Sequence, residues 1–463
     1  MLGLSERNCP IRERAQNIPT TLAIKSDVES LTYQDLDQRI TSISKQLHVK
    51  GLNAGDRLAC IAENSINLII LQLSCIRSGV IFCPINPRFN PDNIQLRLNI
   101  LKNPFIWTEN ENIGANITFN FSAAEKIKEP LAPLLINPEQ VSNIIFTSGS
   151  SGVPKAVMHS FNNHFYSAKG SQKGIPLAVS DKNHLSLPIF HISGYATVFR
   201  TLTVGATLVL SKHSLTVKLL KEKRITHLSL VATQLYRLLE NDSFSQDNLT
   251  IKHLLLGGSA FPNQLLTQTA QRGFTYHLSY GLTEMSSQVA TSCNSQSLSI
   301  LKDREVNIVD DEIFLRGKTR FLGYFKSGEA KDIIAKDKWF ASKDLGIKVA
   351  NNLQVIGRKD RQFICLGENI HPEEIESCLI NFPTVKQAYV VTVKDNEFGD
   401  SPVAFIDWQD KEVDTYSLDK YIRGKLASFK CPRHYFLLPT QVGLKVSLAD
   451  LKKLAHTNLN ISN

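Results

Sequence analysis

The first 360 residues alternate between two hydrophobic periods, one typical of helices and one of strands. Apolar side chains recur every three or four positions from 36 to 47, which predicts an amphipathic helix. Thr32, followed three residues later by Asp35, resembles a capping box that begins this helix. Gly51 is suited to the C′ position, where glycine tolerates a left-handed backbone. We therefore expect one helix between these two signals.

Short apolar runs separated by glycine-bearing loops predict buried strands. They lie at 57–62, 141–147, 252–256 and 274–278, with a helix started by Pro262 between the last two and a loop expected at 279–284. Repeated strand–loop–helix units predict mainly parallel sheets covered by helices on both faces. In such sheets ligands bind at the loops that follow the carboxyl ends of the strands. The loops after residues 147 and 256 are therefore the first candidates for a binding site.

The pattern changes at about residue 352. Short strands are expected at 353–356, 363–366, 385–393 and 403–407, a turn at 357–360, and helices after His371 and at 417–426. The helix after His371 begins with proline and two acids, both favoured in a first turn. The predicted fold class is thus α/β, with a large N-terminal domain at 1–359. A small mobile α+β domain is predicted at 360–463, with the boundary near Asp360.

Length and hydrophobic content agree with this division. At 463 residues the chain is too long for one ordinary domain, and 42% hydrophobic residues can form a sizeable core. The first twenty residues contain no apolar run suited to a signal peptide. The most apolar later stretch, 68–85, is interrupted by Gln72, Arg77 and Pro84. We expect no membrane span.

Cysteine and histidine spacing argues against a structural metal. The eight cysteines form no Cys-x-x-Cys pair, so neither a zinc site nor a disulfide framework is expected. Among the twelve histidines, His159 and His164 are the only close pair. A reducing compartment, and hence a cytoplasmic location, fits this pattern best.

The net charge does not indicate nucleic-acid binding. Lys and Arg number 52 against 43 Asp and Glu, a formal charge of +9. The excess is dispersed, without a basic run or interleaved aromatic residues, so we expect no nucleic-acid partner. A homo-oligomer is compatible with the sequence, which leaves the oligomeric state open.

The strongest chemical signal is the segment 147–155, Thr-Ser-Gly-Ser-Ser-Gly-Val-Pro-Lys. Two glycines let backbone amides face an anion, hydroxyls donate hydrogen bonds, and Lys155 adds positive charge. The segment is not the P-loop of NTPases, because Pro154 precedes the lysine and no Ser or Thr follows it. It predicts a phosphate-binding loop after a buried strand.

This segment resembles the signature loop of the adenylate-forming superfamily, which includes acyl- and aryl-CoA ligases, peptide-synthetase adenylation domains and firefly luciferase. Further motifs that resemble those of the family follow in family order. They are Tyr-Gly-Leu-Thr-Glu at 280–284, Ser-Lys-Asp at 342–344, Gly-Arg-Lys-Asp at 357–360, Gly-Glu-Asn-Ile at 367–370, and Lys445 in Gly-Leu-Lys-Val. At 342–344 the family usually has Thr-Gly-Asp, so the local turn there differs in sequence.

Finer features narrow the resemblance. The segments 187–194, 225–235 and 255–262 are similar to those of o-succinylbenzoate–CoA ligases of menaquinone biosynthesis. The similarity extends from about residue 12 to residue 454.

The resemblance implies ATP, Mg²⁺ and coenzyme A as cofactors or co-substrates, and a small carboxylic acid as partner. The implied ATP-binding residues are Thr147, Ser148, Gly149, Ser150, Ser151, Gly152, Lys155, Gly258, Ser259, Tyr280, Gly281, Thr283, Asp344 and Arg358. Thr147 and Glu284 are the candidate Mg²⁺ ligands, since Mg²⁺ takes one or two protein oxygens and keeps its waters.

Catalysis and domain movement are assigned in the same way. Lys445, Glu284 and His191 are implied at the catalytic centre, with His191 as a wall or gate of the acid site. Asp360 is the implied hinge, and Gly367, Glu368 and Asn369 form the loop for the coenzyme A step.

Six polar residues near the two glycine-bearing loops and the His191 segment are candidates for binding the acid. The candidates are His191, Ser193, Arg200, Ser259, Thr283 and Ser287. A dicarboxylated aromatic keto acid needs a cation for the carboxylate that does not react, and Arg200 suits this role.

Three alternatives stay open. The chain could activate another aryl or medium-chain acid, because few contacts determine pocket specificity. It could load a carrier protein instead of coenzyme A. It could also be an inactive ligand sensor, although Lys155, Glu284, Asp344 and Lys445 argue against that.

Overall fold

The computed structural model describes residues 8–122, 132, 134–147, 153–258, 261–326, 329–365, 368–395, 399–409, 414–439 and 446–459. Among these residues, no helix has both the length and the apolar character needed to cross a bilayer. The described residues divide into two compact units. The first contains those within 1–259, 268–306 and 315–340, and the second those within 260–267, 307–314 and 341–463.

The helices alternate with strands along the chain. They are α1 (Pro10–Asn17), α2 (Tyr33–Val49), α3 (Ile66–Ser78), α4 (Pro91–Leu101), α5 (Phe161–Gly174), α6 (Ile192–Val204), α7 (Val217–Lys223), α8 (Ala232–Leu239), α9 (Asn263–Gln271), α10 (Pro372–Ile380), α11 (Thr415–Arg423) and α12 (Leu448–Asn458). Short 3₁₀ segments lie at Thr283–Met285, Lys359–Arg361 and Ser428–Lys430.

The strands up to residue 300 belong to the first unit. They are β1 (Leu22–Lys25), β2 (Ser30–Thr32), β3 (Arg57–Ile61), β4 (Ile81–Ile85), β5 (Phe105–Thr108), β6 (Val141–Thr147), β7 (Lys155–Ser160), β8 (Lys182–His184), β9 (Thr207–Val209), β10 (His227–Leu230), β11 (His253–Gly257), β12 (Tyr276–Leu282), β13 (Ser287–Thr291) and β14 (Leu298–Ile300).

The later strands complete both units. They are β15 (Arg304–Val309), β16 (Glu312–Gly317), β17 (Gly323–Lys326), β18 (Glu329–Ile333), β19 (Phe340–Val349), β20 (Asn352–Arg358), β21 (Phe363–Cys365), β22 (Glu368–Ile370), β23 (Val385–Asp395), β24 (Gly399–Trp408) and β25 (His434–Leu437).

Two mixed sheets organise the first unit. One has the strand order β18-β17-β7-β6-β4-β3-β5, in which β6, β4, β3 and β5 are parallel and the rest antiparallel. In the other, the strands follow the order β14-β13-β12-β11-β10-β8-β9-β1-β2, with parallel pairs from β12 to β1. The predicted α/β architecture is confirmed, and antiparallel strands lie at sheet edges.

Alternation along β3 shows how the first sheet is covered on both faces. Leu58 and Cys60 belong to a buried cluster that includes side chains of α2, α3, α5 and α6. Ala59 and Ile61, which point the opposite way, belong to a second cluster with residues of α4. Helices therefore bury both faces of this sheet, as the apolar run had predicted.

The second unit has its own sheet and core. Strands β22, β21, β24 and β23 are antiparallel neighbours, and β25 adds in parallel to β24. Helices α10 and α11 contribute Ile375, Leu379, Leu418 and Ile422 to the cluster buried against this sheet. The hairpin β19–β20 also belongs to this unit. The domain boundary at Asp360 stays a prediction.

Local signals in the sequence were accurate. Thr32 caps α2, and its hydroxyl and the Asp35 carboxylate exchange hydrogen bonds with each other's backbone amides. Gly51 follows the end of α2 with a φ of +88°. Pro372 occupies the first turn of α10, as expected.

Two predicted turns begin later than expected, at the 3₁₀ segments Thr283–Met285 and Lys359–Arg361. The loop expected at 279–284 is largely strand, because β12 pairs with the antiparallel β13 through Leu282. Gly357 and Arg358 likewise continue β20, since they pair with Leu345 and Asp344 of β19. In both places the neighbouring strand of a hairpin extends the strand past residues that favour turns.

A buried ion-pair cluster joins the first three helices. Asp37 of α2 is 1% exposed, and its two carboxylate oxygens lie 2.8 Å from Arg12 Nε and 2.5 Å from Arg77 Nη2. Arg12 belongs to α1 and Arg77 to α3, so one carboxylate balances two cations. Its removal would leave both charges buried without an acid.

We predict that Asp37→Ala lowers the free energy of unfolding by about 3–5 kcal/mol, the usual effect of breaking a buried ion pair. Denaturant titration followed by tryptophan fluorescence measures the change. Glu63→Ala removes an exposed partner of Arg88 and serves as the control, with an expected loss below about 1 kcal/mol. Equal losses in the two variants would contradict the prediction.

Candidate active site

The two ends of the predicted phosphate loop lie side by side. Thr147 ends β6 and Lys155 begins β7, and the two residues are direct partners in this antiparallel pair. The intervening candidates, Ser148, Gly149, Ser150, Ser151 and Gly152, lie outside the described residues. This pairing brings Thr147 and Lys155 to the same end of the β6–β7 pair.

Tyr324 links Lys155 to Glu284. The ammonium nitrogen of Lys155 is 5.4 Å from the centroid of the Tyr324 ring, within reach of a cation–π interaction. The Tyr324 hydroxyl donates to Glu284 Oε1 at 2.9 Å. The structure thus brings two predicted site residues to one tyrosine. Sequence reasoning missed Tyr324, which carries no local signal beyond its place in a strand after Gly323.

The turn after β12 carries Thr283 and Glu284. It is a 3₁₀ segment followed by Ser286 and Ser287 with φ of +53° and +99°. Two successive non-glycine residues in the left-handed region indicate a backbone held by its surroundings. The buried His159 contacts the Thr283 carbonyl at 2.7 Å. The Ser287 side chain, an acid-site candidate, follows directly.

Gly281 is required by close packing at the same turn. A Cβ at this position would lie 2.0 Å from the carbonyl oxygen of Ser287. A strand irregularity separates Tyr280, which pairs with Ala290, from Gly281, which pairs with Gln288. The Tyr-Gly pair is therefore a point where β13 crosses close to β12.

Gly258 lies one residue beyond β11, which is parallel to β12. Its φ of +93° is one that glycine adopts without strain. The neighbouring candidate Ser259 lies outside the described residues. The carboxyl ends of β11 and β12 are adjacent, since Gly257 pairs with Ser279. This is the edge at which parallel sheets bind ligands.

His191 begins α6 as its N-cap residue. The preceding loop packs closely, because a Cβ at Gly194 would lie 2.1 Å from the carbonyl oxygen of Pro188. Ser193 accepts at its carbonyl a hydrogen bond of 2.8 Å from the Thr197 hydroxyl. The two predicted acid-site residues of this loop are thus on the first turn of one helix.

Arg200, the predicted partner of the second carboxylate, is buried in α6. Its Nη2 donates to the hydroxyls of Thr197 at 2.9 Å and Ser229 at 2.8 Å. Within the described ranges no carboxylate contacts it, and its Nε and Nη1 have no hydrogen-bond partner there. Burial lowers the pKa of Arg200 to about 10. A buried cation without an acid is costly unless a ligand supplies the anion.

In the second unit Asp344 and Arg358 face each other across the hairpin. They are direct partners in β19–β20, and Arg358 Nη1 donates to Asp344 Oδ1 at 3.0 Å. Arg358 also donates to both carboxylate oxygens of Asp360, at 3.1 and 3.0 Å. Burial alone would lower the pKa of Arg358, but the two carboxylates outweigh it and raise that pKa. The predicted ribose-site residues and hinge residue therefore form one ion-pair network.

The Ser342-Lys343 pair, which stands where the family usually has Thr-Gly, lies within strand β19 and not in a turn. The Ser342 hydroxyl donates to the Ile313 carbonyl at 2.7 Å and accepts from the Asp344 amide at 3.0 Å. Lys343 adopts a φ of +63°, the left-handed region where glycine is usual. Its amide donates to Glu312 Oε1 at 3.0 Å. These bonds hold the strained residue and orient Asp344.

The remaining candidates are described only in part. Glu368 and Asn369 belong to β22, whose backbone pairs with β21. Gly367 and Lys445 lie outside the described residues.

The donor set of the first unit fits Mg²⁺. A threonine hydroxyl at the end of β6 and the Glu284 carboxylate are hard oxygen ligands, and one Glu284 oxygen is already oriented by Tyr324. Mg²⁺ bound through few protein oxygens keeps sites for water and phosphate.

Comparison with known proteins agrees with this geometry. A sequence model of the AMP-binding enzyme family matches residues 11–325, and one of the AMP-binding enzyme C-terminal domain matches 374–442. The 2-succinylbenzoate–CoA ligase of Escherichia coli (strain K12) is 32% identical over 452 residues, 96% of this chain and 97% of that protein.

Solved structures are similar over nearly the whole chain. The o-succinylbenzoate CoA synthetase (MenE) of Bacillus subtilis in complex with the acyl-adenylate intermediate OSB-AMP has a TM-score of 0.83 and 26% identity, covering 94% of this chain and 95% of that one. The same enzyme in complex with ATP and magnesium ion has a TM-score of 0.82 and 26% identity, covering 93% and 96%. With the loop ends, the acidic turn and both family matches in place, the chain belongs to the family of AMP-binding enzymes.

Proposed function

We propose that the chain is an AMP-forming acid–CoA ligase that activates o-succinylbenzoate with ATP and transfers it to coenzyme A. The product is o-succinylbenzoyl-CoA, an intermediate of menaquinone biosynthesis. The curated relative of similar length is a 2-succinylbenzoate–CoA ligase, and the similar solved structure holds the acyl-adenylate OSB-AMP. The observation that supports this acid most directly is the buried Arg200, which lacks a carboxylate partner in the described part of the chain.

The acid makes this arrangement useful. o-Succinylbenzoate carries two carboxylates, and only one of them is activated. The guanidinium of Arg200 already uses Nη2 on Thr197 and Ser229, which leaves Nε and Nη1 for the carboxylate that does not react. His191, Ser193, Thr283, Ser287 and Ser259 complete the acid site in this proposal.

The first step forms a mixed anhydride. A carboxylate oxygen attacks the α-phosphorus of ATP, the bond to the bridging oxygen of pyrophosphate breaks, and acyl-AMP and pyrophosphate result. An anion attacks a polyanion here, so fixed positive charge and hydrogen-bond donors must offset the repulsion. Lys155 and the loop 148–152 hold the β- and γ-phosphates, and Lys445 contacts the α-phosphate and the attacking carboxylate.

The nucleotide is held at further points. Gly258, Tyr280, Gly281 and Thr283 line the adenylate site. Thr147 and Glu284 would hold Mg²⁺, which would neutralise phosphate charge. The Asp344 carboxylate accepts hydrogen bonds from the ribose hydroxyls, and Arg358 orients that carboxylate.

The second step transfers the acyl group. The thiolate of coenzyme A attacks the acyl carbon, the bond to the phosphate oxygen breaks, and AMP leaves. One lysine cannot serve the first step and also clear the path of the thiol. We propose that the domain after Asp360 rotates, so that the segment of Gly367, Glu368 and Asn369 replaces Lys445. Closure also keeps water from the intermediate.

These assignments imply a cytoplasmic enzyme whose partners are small molecules. Its oligomeric state is left open.

The proposal is tested by pyrophosphate release with a panel of acids and coenzyme A as sole acceptor. We expect o-succinylbenzoate to give the highest kcat/KM and AMP as the nucleotide product. A higher value for benzoate or octanoate would assign another acid–CoA ligase activity. Adenylation without transfer to coenzyme A would favour a carrier-protein acceptor, and ADP as product would overturn the proposal.

Lys445→Ala should abolish adenylation but leave thioester formation from supplied acyl-adenylate largely intact, because the lysine acts only on the first step. Single-turnover assays of each half-reaction measure this. Lys452→Ala, a lysine of the following helix α12, is the control and should leave both steps unchanged. Equal loss of both half-reactions in Lys445→Ala would contradict the assigned role.

Arg200→Met should lower kcat/KM for o-succinylbenzoate about 100-fold, since truncating one partner of a buried charge pair typically costs 2–5 kcal/mol. The KM for ATP should change little. The wild type should prefer o-succinylbenzoate to the monocarboxylate 4-oxo-4-phenylbutanoate, and the variant should lose that preference. Arg200→Lys keeps the charge and should recover part of it.

A pH series adds a second check on Arg200. Burial lowers the pKa of Arg200, so its charge is lost at a lower pH than that of an ordinary arginine, and the preference for the dicarboxylate over the monocarboxylate should fall at high pH in the wild type but not in Arg200→Met. An Arg200→Met variant that kept the wild-type preference would contradict the assignment.

A further inference from the structure

A buried chain of polar side chains reaches the turn that carries Glu284. His159 of β7 is fully buried, and its Nε2 lies 2.7 Å from the carbonyl oxygen of Thr283. Its other ring nitrogen, Nδ1, lies 3.2 Å from Asn143 Nδ2. Asn143 Oδ1 in turn lies 2.7 Å from His164 Nε2. The close histidine pair of the sequence thus flanks one asparagine.

The Thr283 carbonyl determines where the protons lie on this series of hydrogen-bonded side chains. A backbone carbonyl only accepts, so His159 Nε2 carries a proton and donates to Thr283. The neutral ring then accepts at Nδ1 from the Asn143 amide, which orients the Asn143 carbonyl towards His164. His164 donates from Nε2. Each link fixes the direction of the next.

His159 is suited to holding a position, not to moving a proton. Both ring nitrogens are engaged and the side chain is fully buried. Burial lowers the pKa of His159 to about 4, which keeps the ring neutral at physiological pH. The neighbouring His164 is also buried, and its pKa is lowered well below the ordinary value. A neutral His159 ring with its proton fixed on Nε2 is therefore a stable hydrogen-bond donor to the Thr283 carbonyl.

The hydrogen-bonded side chains of His159, Asn143 and His164 connect the elements of the candidate site. Asn143 lies on β6, which ends at Thr147, and His159 lies on β7, which begins at Lys155. The Thr283 carbonyl shares its peptide plane with the amide of Glu284. The bond from His159 therefore ties the backbone of the acidic turn to the two strands that flank the phosphate loop.

We propose that His159, oriented by Asn143 and His164, is a positioning residue that sets where the Glu284 carboxylate lies relative to Thr147 and Lys155. The inference rests on the proposed function, in which Glu284 and Thr147 bind Mg²⁺ with ATP. Groups that orient metal ligands commonly contribute 10- to 100-fold to metal affinity or activity. Loss of the hydrogen bond should therefore act on Mg²⁺ and ATP before it acts on the acid.

Two variants of nearly equal size isolate the hydrogen bond. His159→Gln keeps an N–H donor at about the position of Nε2, whereas His159→Met fills similar volume without a donor. We expect His159→Met to raise the Kd for ATP in the presence of Mg²⁺, and the Mg²⁺ concentration for half-maximal adenylation, about 10-fold or more. His159→Gln should stay within a few-fold of wild type. The KM for o-succinylbenzoate should change less than the Kd for ATP in both, although Thr283 also belongs to the proposed acid site.

His277→Met is the matched control. His277 is also a buried histidine whose ring contacts a backbone carbonyl, that of Ser292, at 2.9 Å. It lies on the same strand as the turn but six residues earlier, about 20 Å along an extended chain. This variant should lose thermal stability like His159→Met while keeping wild-type binding of ATP and Mg²⁺.

Calorimetry of ATP binding without acid gives a readout independent of turnover, and melting temperatures report the structural cost. Nuclear magnetic resonance of ¹⁵N-histidine should show His159 as the neutral Nε2–H tautomer at neutral pH. The inference is overturned if His159→Met binds Mg²⁺ and ATP like wild type. It is also overturned if His159→Met and His159→Gln lose binding equally, or if the His277 control loses as much.

Glu284→Gln separates this inference from the proposed function. If that variant leaves the Mg²⁺ dependence unchanged, the metal assignment itself fails. If Glu284→Gln shifts the Mg²⁺ dependence and His159→Met does not, only the positioning role fails.

Discussion

The first unit depends on one constraint: a polypeptide that turns inside the protein must find hydrogen-bond partners for its backbone carbonyls. After β12 each partner comes from a different element. The Glu284 carbonyl accepts from the Phe321 amide at 2.8 Å, and the Ser286 carbonyl from the Ser167 hydroxyl at 2.6 Å. Arg304 Nε donates to the Gln288 carbonyl at 2.9 Å. A turn bonded from so many directions can hold left-handed residues without glycine.

The same constraint explains what the sequence could predict. The start of α2 was accurate because both partners of its capping box lie within three residues of each other. The end of β12 was missed because its pairing partner β13 lies beyond the turn, and no local pattern records that pairing. Lys343 shows most clearly a backbone conformation that depends on partners distant in sequence. Its left-handed backbone is held by its own amide bond to Glu312 and by the bond of the preceding Ser342 hydroxyl to the Ile313 carbonyl, and both partners lie about 30 residues earlier in the chain.

The candidate site likewise contains residues that local motifs identify and contacts that only the fold reveals. The family motifs indicated Lys155, Glu284, Asp344 and Arg358, because each of these residues belongs to a short segment that resembles a functional motif of the family. It could not show that Tyr324 contacts both Lys155 and Glu284, since that contact joins three elements. The histidine pair at 159 and 164 was noticed only as a metal ligand set too sparse to use. In the fold the two rings flank Asn143, and the contact of His159 with the Thr283 carbonyl joins residues 124 positions apart, which no local pattern could predict.

Arg200 has a consequence for the balance between stability and specificity. In the proposed function, the buried Arg200 has no acid partner among the described residues while the ligand is absent, which costs stability, and a bound dianion removes that cost as part of its binding free energy. At Arg200 a higher thermal stability and a stronger preference for the dicarboxylate would therefore require different side chains. In the proposed function, an aliphatic side chain at this position would raise the stability of the fold and lower the specificity for the dicarboxylate.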